Sequence, residues 1–246
     1  WCIMVDASCG IKFSFFYKTK DEMVEPTCEL LHGWLQQGVK IKNIRLDNAG
    51  ENKALQQRAR SQSWKLPIKF LFTARDTPQQ NSLAEVSFAT IANRGRALMA
   101  DAFVPEDVRR VIWNEVMKTA TLLDGLIPVE VNGTTATWFI HWMGKNPKFA
   151  YHLRTWGEAG TVKVKTKVWS KVKDRGIVCM MVGYALGHAG DVYRMFNPKT
   201  GGIHETRDVI WLKRMFYQAL NPEPEVFAHD ADVVDVDSDD DDPVFG

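Results

Sequence analysis

The chain has 246 residues, of which 45% are hydrophobic and 25% are charged, so it can bury a core in one large domain or two small ones. It shows no run of about 18 apolar residues and no signal-peptide pattern, which argues against a membrane span or secretion and predicts a soluble protein of the cytosol or nucleus. Its four cysteines lack a C-x-x-C pair and zinc-ligand spacing, which predicts free, reduced thiols.

The net charge of +1 conceals an uneven distribution along the chain. Residues 1–147 carry 18 Lys or Arg and 15 Asp or Glu, residues 148–217 carry 13 and 5, and residues 218–246 carry none and 10. A basic block beside an acidic tail predicts a module that binds a polyanion, followed by a disordered segment. We expect the tail to serve solubility, with mimicry of nucleic acid or recruitment of a basic partner as the alternatives.

The first 125 residues alternate β-rich runs with helical periodicity. Residues 1–6 and 11–18 are predicted to form a hairpin, and residues 20–37 an amphipathic helix that Gly38 ends. Further strands are predicted at residues 41–46 and 66–72, and further helices at residues 51–63, 79–102 and 106–123. This alternation predicts an α/β domain with parallel strands.

The pattern changes after residue 125. A predicted turn over residues 128–133 and a connector lead to short strands near residues 161–168, 176–185, 192–197 and 203–212, which fit a small barrel or sheet. We therefore predict four parts. These are an α/β core over residues 1–125, a connector over 126–158, a small basic β-domain over 159–217 and a disordered acidic tail over 218–246.

Two acidic motifs stand at places where α/β folds carry chemistry. In R-L-D-N-A-G-E-N, residues 45–52, Asp47 ends a predicted strand. In T-P-Q-Q-N-S-L-A-E, residues 77–85, Glu85 falls in the first two turns of a long helix. Taken singly, Asp47 is better explained as a turn residue and Glu85 as a partner of the helix dipole. If the fold brings them together, the two carboxylates repel each other, and a bridging Mg²⁺ or Mn²⁺ would relieve that repulsion.

In combination and order, these motifs resemble the integrase core of copia-type (Ty1/copia) retrotransposons. The resemblance covers most of residues 1–215 and includes G-K-N-P at 144–147, L-R-T-W-G at 153–157 and V-G-Y at 182–184. It implies an RNase H-like core that processes 3′ ends and transfers strands with Mg²⁺ or Mn²⁺. Asp47 and Glu85 match the second and third members of the family's D,D,E metal triad. The implied partners are element cDNA ends, target DNA and further copies of the intact integrase, in the nucleus or in a cytoplasmic particle before nuclear entry.

The chain also departs from the family pattern. The first aspartate of the triad would lie on a strand before Trp1, so we expect a core that is incomplete at its N-terminus and inactive as it stands. We expect Asp6, which ends a predicted strand, to be a turn residue, with a role as a metal ligand as the alternative. Asn81-Ser82 replaces the family's N-G, and Val86 replaces an Arg that would bind phosphate. A non-catalytic, decayed or domesticated nucleic-acid-binding protein is therefore the alternative.

A basic stretch alternates cations with smaller or apolar residues, so a strand would place most of the cations on one face. Its members are Lys163, Lys165, Lys167, Lys171, Lys173 and Arg175. Alone, the stretch is equally typical of an edge strand that lysines protect from pairing. Beside an integrase-like core, we expect it to bind DNA phosphates in a salt-dependent, sequence-independent manner.

Overall fold

In the computed structural model, the described residues are 1–73, 82–163 and 176–218, and they form a mixed α/β fold, as predicted. The strands are β1 (Cys2–Val5), β2 (Lys12–Phe15), β3 (Asn43–Leu46), β4 (Lys69–Phe72), β5 (Pro128–Val131), β6 (Thr134–Thr137), β7 (Glu158–Lys163), β8 (Gly176–Tyr184), β9 (Tyr193–Asn197), β10 (Gly202–Thr206) and β11 (Val209–Met215). The α-helices are α1 (Val24–Gln36), α2 (Gly50–Arg60), α3 (Ser82–Asp101), α4 (Glu106–Asp124) and α5 (Trp138–Met143). None of the described helices has the length and apolar character that a membrane span requires.

Strands β1 and β2 form an antiparallel hairpin in which Cys2 pairs with Phe15. Gly10 adopts a φ of 85° in the connection, a value that favours glycine. A Cβ at this position would also lie 2.6 Å from the ring of Trp138. The hairpin connection therefore packs closely against the start of α5.

Asp6 belongs to the turn of this hairpin. Its Oδ2 accepts hydrogen bonds from the backbone N–H of Cys9, at 3.0 Å, and from the hydroxyl of Ser8. Burial by itself raises the pKa of Asp6, but these hydrogen bonds to the charged form outweigh it and hold the pKa below its ordinary value. The carboxylate thus stabilises the local turn.

Strands β3 and β4 form a parallel pair joined by helix α2, and Leu46 pairs with Phe72 at the end of the ladder. Helix α1 packs against α2. The apolar faces of these elements bury a core of their own. Its buried members are Met23, Cys28, Leu31, Leu55, Ala59, Leu66, Ile68 and Phe70.

A five-stranded antiparallel sheet follows, with the strand order β10-β9-β8-β7-β11. The predicted small β-sheet is therefore confirmed, but the single strand predicted near residues 203–212 is wrong. The chain turns after β10, where the N–H of Asp208 donates to the Thr206 hydroxyl at 3.0 Å and the N–H of Val209 to the Arg207 carbonyl at 3.0 Å. This turn sends β10 and β11 to opposite edges of the sheet.

The turn predicted over residues 128–133 is too long. Strands β5 and β6 form an antiparallel hairpin there, in which Val131 pairs with Thr134. Only Asn132 and Gly133 form the turn, with φ values of 51° and 77°. Two successive positive φ values are the signature of the tight turn that Asn-Gly favours between antiparallel strands.

The main hydrophobic core joins the hairpin β1–β2, helices α3 and α4, and the five-stranded sheet. Ile3, Ile91, Val116, Met180 and Met195 are among its buried members. Helix α4 contacts helix α3, strand β2 and strand β8. The core thus crosses the predicted bounds at residues 125 and 159, and the division into separate domains stays a prediction.

All four cysteines are free, as their spacing predicts. Cys28 and Cys179 are fully buried, and Cys9 is nearly so. Burial raises the pKa of Cys9 and of Cys179 to about 11. Neutral, buried thiols of this kind are core residues and not nucleophiles.

Candidate functional site

Asp47 stands directly after strand β3, in the turn that leads into helix α2, and its side chain is exposed. Its Oδ1 accepts hydrogen bonds from the backbone N–H of Ala49, at 3.1 Å, and from Asn52 Nδ2, at 2.6 Å. Asn52 lies in the first turn of α2, so the turn and the helix start together orient the carboxylate. Both bonds are made to Oδ1, so Oδ2 can meet a cation without either bond being broken.

The carboxyl ends of β3 and β4 meet at one edge of the parallel pair. The backbone N–H of Thr73, directly after β4, donates to the carbonyl of Leu46, directly before Asp47, at 2.9 Å. The chain therefore leaves β4 beside Asp47. Residues 74–81, with the first part of the T-P-Q-Q-N-S-L-A-E motif, lie outside the described residues.

Glu85 lies in the first turn of α3, and its side chain is exposed. Phe88, one turn further along the helix, packs edge-on against Trp1 with 4.8 Å between ring centroids. Burial raises the pKa of Cys2, the neighbour of Trp1; the positive charge of the N-terminus opposes this rise, and the negative charge of Asp47 adds to it. Trp1 thus packs against α3, and Asp47 acts on Cys2 through its charge.

The fit of a divalent metal ion to these residues is partial. Exposed carboxylate oxygens are the ligands that Mg²⁺ and Mn²⁺ prefer, and Asp47 and Glu85 supply two of them. Within residues 1–73, 82–163 and 176–218, however, no group of three or more His, Cys, Asp or Glu side chains could hold a metal ion. The donor chemistry therefore fits, while the number of donors in the described part of the chain is too small for a complete site.

Of the predicted basic stretch, the structure describes Lys163, which is exposed at the end of strand β7. Lys163 pairs with Gly176 at the start of β8. The connection between these two strands therefore leaves and re-enters the sheet at the same end. The remaining predicted cations lie outside the described residues: Lys165, Lys167, Lys171, Lys173 and Arg175.

A second cationic region, at the other end of β7, was missed by sequence reasoning. An open cavity of about 750 Å³ is lined there by Arg154, Glu158, Lys213 and Arg214, among others. We call these four residues and their cavity the basic pocket. Adjacent cations at 213 and 214 were a possible signal, but Arg154 reaches them only because Met215 of β11 pairs with Glu158 of β7.

Comparison with known proteins gives a family match in the sheet. Residues 160–225 match the family described as the retroviral polymerase SH3-like domain. The match includes the last four residues of strand β7 and the strands β8 to β11. It agrees with the small antiparallel sheet of the structure.

The chain is also similar to the retrovirus-related Pol polyprotein from transposon TNT 1-94 of Nicotiana tabacum, with 26% identity over 205 residues. The similar region covers 80% of this chain and 14% of that polyprotein, so the chain spans a small part of its relative. A solved structure, the simian T-cell lymphotropic virus intasome in complex with PP2A regulatory subunit B56 gamma, has a chain that is 14% identical, with a TM-score of 0.42 and coverage of 86% of this chain and 69% of that one. The family match and the polyprotein confirm the predicted resemblance to a copia-type integrase region.

Proposed function

We propose that the chain is an integrase region that takes part in DNA integration by metal-dependent polynucleotidyl transfer, with an RNase H-like core in its first 125 residues. The observation that carries this proposal is the position of Asp47. It follows β3 at the edge where β4 also ends, and the next described helix along the chain, α3, carries Glu85 in its first turn. Carboxylates at the carboxyl ends of parallel strands are well placed for reaction chemistry in α/β folds.

In this proposal Asp47 and Glu85 hold Mg²⁺ or Mn²⁺ together with a further donor that the described residues do not supply. Such an ion supplies Lewis acidity to water, to a 3′-hydroxyl and to a leaving phosphate oxygen. The contribution of the chain is to orient Asp47 through Ala49 and Asn52 and to keep both carboxylates exposed to a bulky polyanionic substrate. The substrates are element cDNA ends and target DNA, and the intact integrase acts in the nucleus as a homo-oligomer.

A metal-binding experiment tests the roles of the two carboxylates. Binding of Mn²⁺ is measured by calorimetry or by water proton relaxation. Asp47→Asn and Glu85→Gln should each weaken this binding by about tenfold, because each variant removes one carboxylate partner of the ion. Glu106→Gln is the matched control, because Glu106 is also an exposed glutamate in the first turn of a helix. Equal Mn²⁺ affinity in wild type, Asp47→Asn and Glu85→Gln would sink the proposed metal site.

The alternative function is that of a non-catalytic nucleic-acid-binding protein. It is favoured by Val86, which is 63% exposed beside Glu85 at the position where the family has an Arg. An exposed valine makes no ionic contact with a phosphate. A strand-transfer assay with a labelled DNA duplex, run on the chain extended by its upstream sequence, separates the two functions. Product that disappears in Asp47→Asn supports the transferase, whereas tight DNA binding without any product supports the alternative.

A further inference from the structure

The basic pocket lies at a distortion of the sheet. Strand β11 pairs with β7, but the register shifts between Trp211 and Met215. Within this irregularity Lys213 adopts a φ of 54°, in the left-handed region that non-glycine residues rarely occupy. Lys213 and its neighbour Arg214 are both exposed. The bulge thus presents two adjacent cations that a regular strand would point to opposite faces of the sheet.

Arg154 lines the basic pocket and is held from several sides. Its backbone N–H donates to the hydroxyl of Tyr184 at 3.0 Å, and its Nη2 donates to Glu158 Oε1 at 2.7 Å. Its guanidinium lies over the ring of Trp211, 4.3 Å from the centroid, and that ring packs edge-on against Tyr193. The guanidinium is therefore already oriented before any ligand arrives.

The charges in the basic pocket do not cancel. Three cations, Arg154, Lys213 and Arg214, face a single carboxylate, that of Glu158. Arg154 Nε is buried and is therefore closed to a ligand. A guanidinium held in place by its neighbours, with two exposed cations beside it, matches the charge and the several acceptor oxygens of a phosphate group.

We infer that the basic pocket binds a backbone phosphate of a nucleic acid, at a contact separate from the basic stretch over residues 163–175. This inference rests on the proposed DNA-binding function and adds the residues that make the contact. Lys163, the described member of the basic stretch, ends strand β7, whereas Glu158 begins it, so Lys163 and the basic pocket stand at opposite ends of one strand. At about 3.3 Å per residue they are separated by roughly 17 Å, a distance that a single bound duplex can bridge. A duplex held at both ends of β7 is restrained in orientation as well as in position.

The test uses a double variant that removes charge without disturbing the backbone. Lys213→Asn is chosen because asparagine tolerates the left-handed conformation better than other non-glycine residues. Arg214→Gln removes the second exposed cation and retains hydrogen-bonding capacity. The matched control combines Lys65→Asn with Arg60→Gln. Lys65 is also exposed with a φ of 44°, and it precedes β4, at the opposite edge of the parallel pair from Asp47.

Binding of a fluorescent DNA duplex is measured by anisotropy at several salt concentrations. The pocket variant should bind about tenfold more weakly at low salt, and its plot of log affinity against log salt should be flatter by about 0.9, because the loss of one phosphate contact removes about 0.9 from the slope. The control should keep a slope within about 0.5 of wild type. A pocket variant that keeps the wild-type affinity and slope would overturn the inference and leave the proposed DNA binding intact.

A smaller ligand separates this inference from the proposed function. Tripolyphosphate binding is followed by the chemical shifts of backbone amides in β11 and around Arg154. Shifts that are present in the wild type and the control but absent in the pocket variant support a phosphate site even if no duplex binds. If neither duplex nor tripolyphosphate binding distinguishes the pocket variant from the control, the basic pocket is not a phosphate site.

Discussion

The hydroxyl of Thr119 on helix α4 donates a hydrogen bond to the carbonyl of Val182 on strand β8, at 2.7 Å, and both residues are buried. Gly183 follows Val182, and a Cβ there would lie 2.6 Å from the Thr119 hydroxyl oxygen. Helix and strand therefore approach too closely for a larger residue. This contact fixes the five-stranded sheet on the helical part of the molecule.

Replacing Thr119 with Val should lower the free energy of unfolding by about 1 kcal/mol, since the shape is kept and one buried hydrogen bond is lost. The loss stays near this value because Trp156 Nε1 also donates to the Val182 carbonyl, at 3.0 Å, so the acceptor keeps a partner. Urea unfolding followed by circular dichroism measures the change. The control is Thr90→Val, because the Thr90 hydroxyl bonds only within its own helix, to the Val86 carbonyl. Equal losses in the two variants would contradict a role for the Thr119 bond between the helix and the sheet.

Local patterns allowed several elements to be predicted, and their limits are physical. The helical period anticipated α4 almost to the residue, from Glu106 to Leu123, because its apolar face is a property of that segment alone. The Asn132-Gly133 pair could have revealed the β5–β6 hairpin, since this dipeptide favours the two positive φ values observed there. The packing of α4 on β8 had no local signal, because it joins residues far apart in the chain.

Of the candidate sites, too, one was predictable from local sequence and the other was not. The turn after β3 that holds Asp47 was predictable from D-N-A-G, because short polar residues and glycine favour turns. The basic pocket was not, since Arg154 meets Lys213 only through the β7–β11 pairing and the bulge in β11. How Asp47 stands towards Glu85 depends on residues 74–81 and stays a prediction.

Cys179 should make stability depend on alkaline pH. Its ordinary pKa is 9.0, and burial in the folded protein raises it to about 11. Between these values the unfolded thiol has released its proton while the folded thiol keeps it, so stability falls as the pH rises. The contribution of the protonated Cys179 thiol to the free energy of unfolding is complete below pH 9. It declines by up to about 1.4 kcal/mol per pH unit and is lost above pH 11.

The Cys179→Ala variant should therefore show a shallower decline of the unfolding free energy between pH 9 and 11, as measured by urea titrations at fixed pH. Val182→Ala is the control, because Val182 is a fully buried residue of the same strand and does not titrate. It should lose stability equally at every pH. Parallel curves for wild type and Cys179→Ala would show that this thiol does not cause the decline.

Restoring a cation beside Glu85 should strengthen DNA binding. Val86→Arg places a guanidinium on the exposed face at the start of α3, where Val86 is 63% exposed and packs little. One added phosphate contact should steepen the salt dependence of binding by about 0.9 and raise the affinity several-fold at low salt. The control is Val111→Arg on α4. Val111 is 58% exposed, so this substitution adds the same charge at another exposed site. If both variants gain equally, the effect is one of net charge, and the start of α3 does not face DNA.

The basic stretch over residues 163–175 should contribute to DNA affinity through charge alone. Changing Lys163, Lys165 and Lys167 to Gln should flatten the salt dependence by up to about 2.7, since each phosphate contact contributes about 0.9. Duplexes of different sequence should be weakened equally, because phosphates carry no base information. Anisotropy titrations with two unrelated duplexes measure both effects.

The control for this triple variant removes three exposed lysines from other elements, Lys18, Lys40 and Lys199. It alters the net charge by the same amount but should leave the salt dependence within about 0.5 of wild type. If the stretch only protects a strand edge, its triple variant will instead keep DNA affinity and aggregate more readily than the control.

We expect the acidic tail to serve solubility, whereas the alternative, mimicry of nucleic acid, predicts that the tail reduces DNA affinity when the salt concentration is low. Deleting residues 221–246 removes 10 carboxylates and no Lys or Arg from a chain whose net charge is +1. Under the alternative, loss of this negative charge raises affinity for a DNA duplex by several-fold at about 50 mM salt, and the gain fades near 0.5 M, roughly the range over which screening shortens from about 13 to 4 Å. A full-length variant with Asn and Gln in place of the tail's Asp and Glu separates charge from length and should match the deletion. If the tail serves solubility alone, both variants will bind DNA like wild type, and they will precipitate at lower protein concentrations.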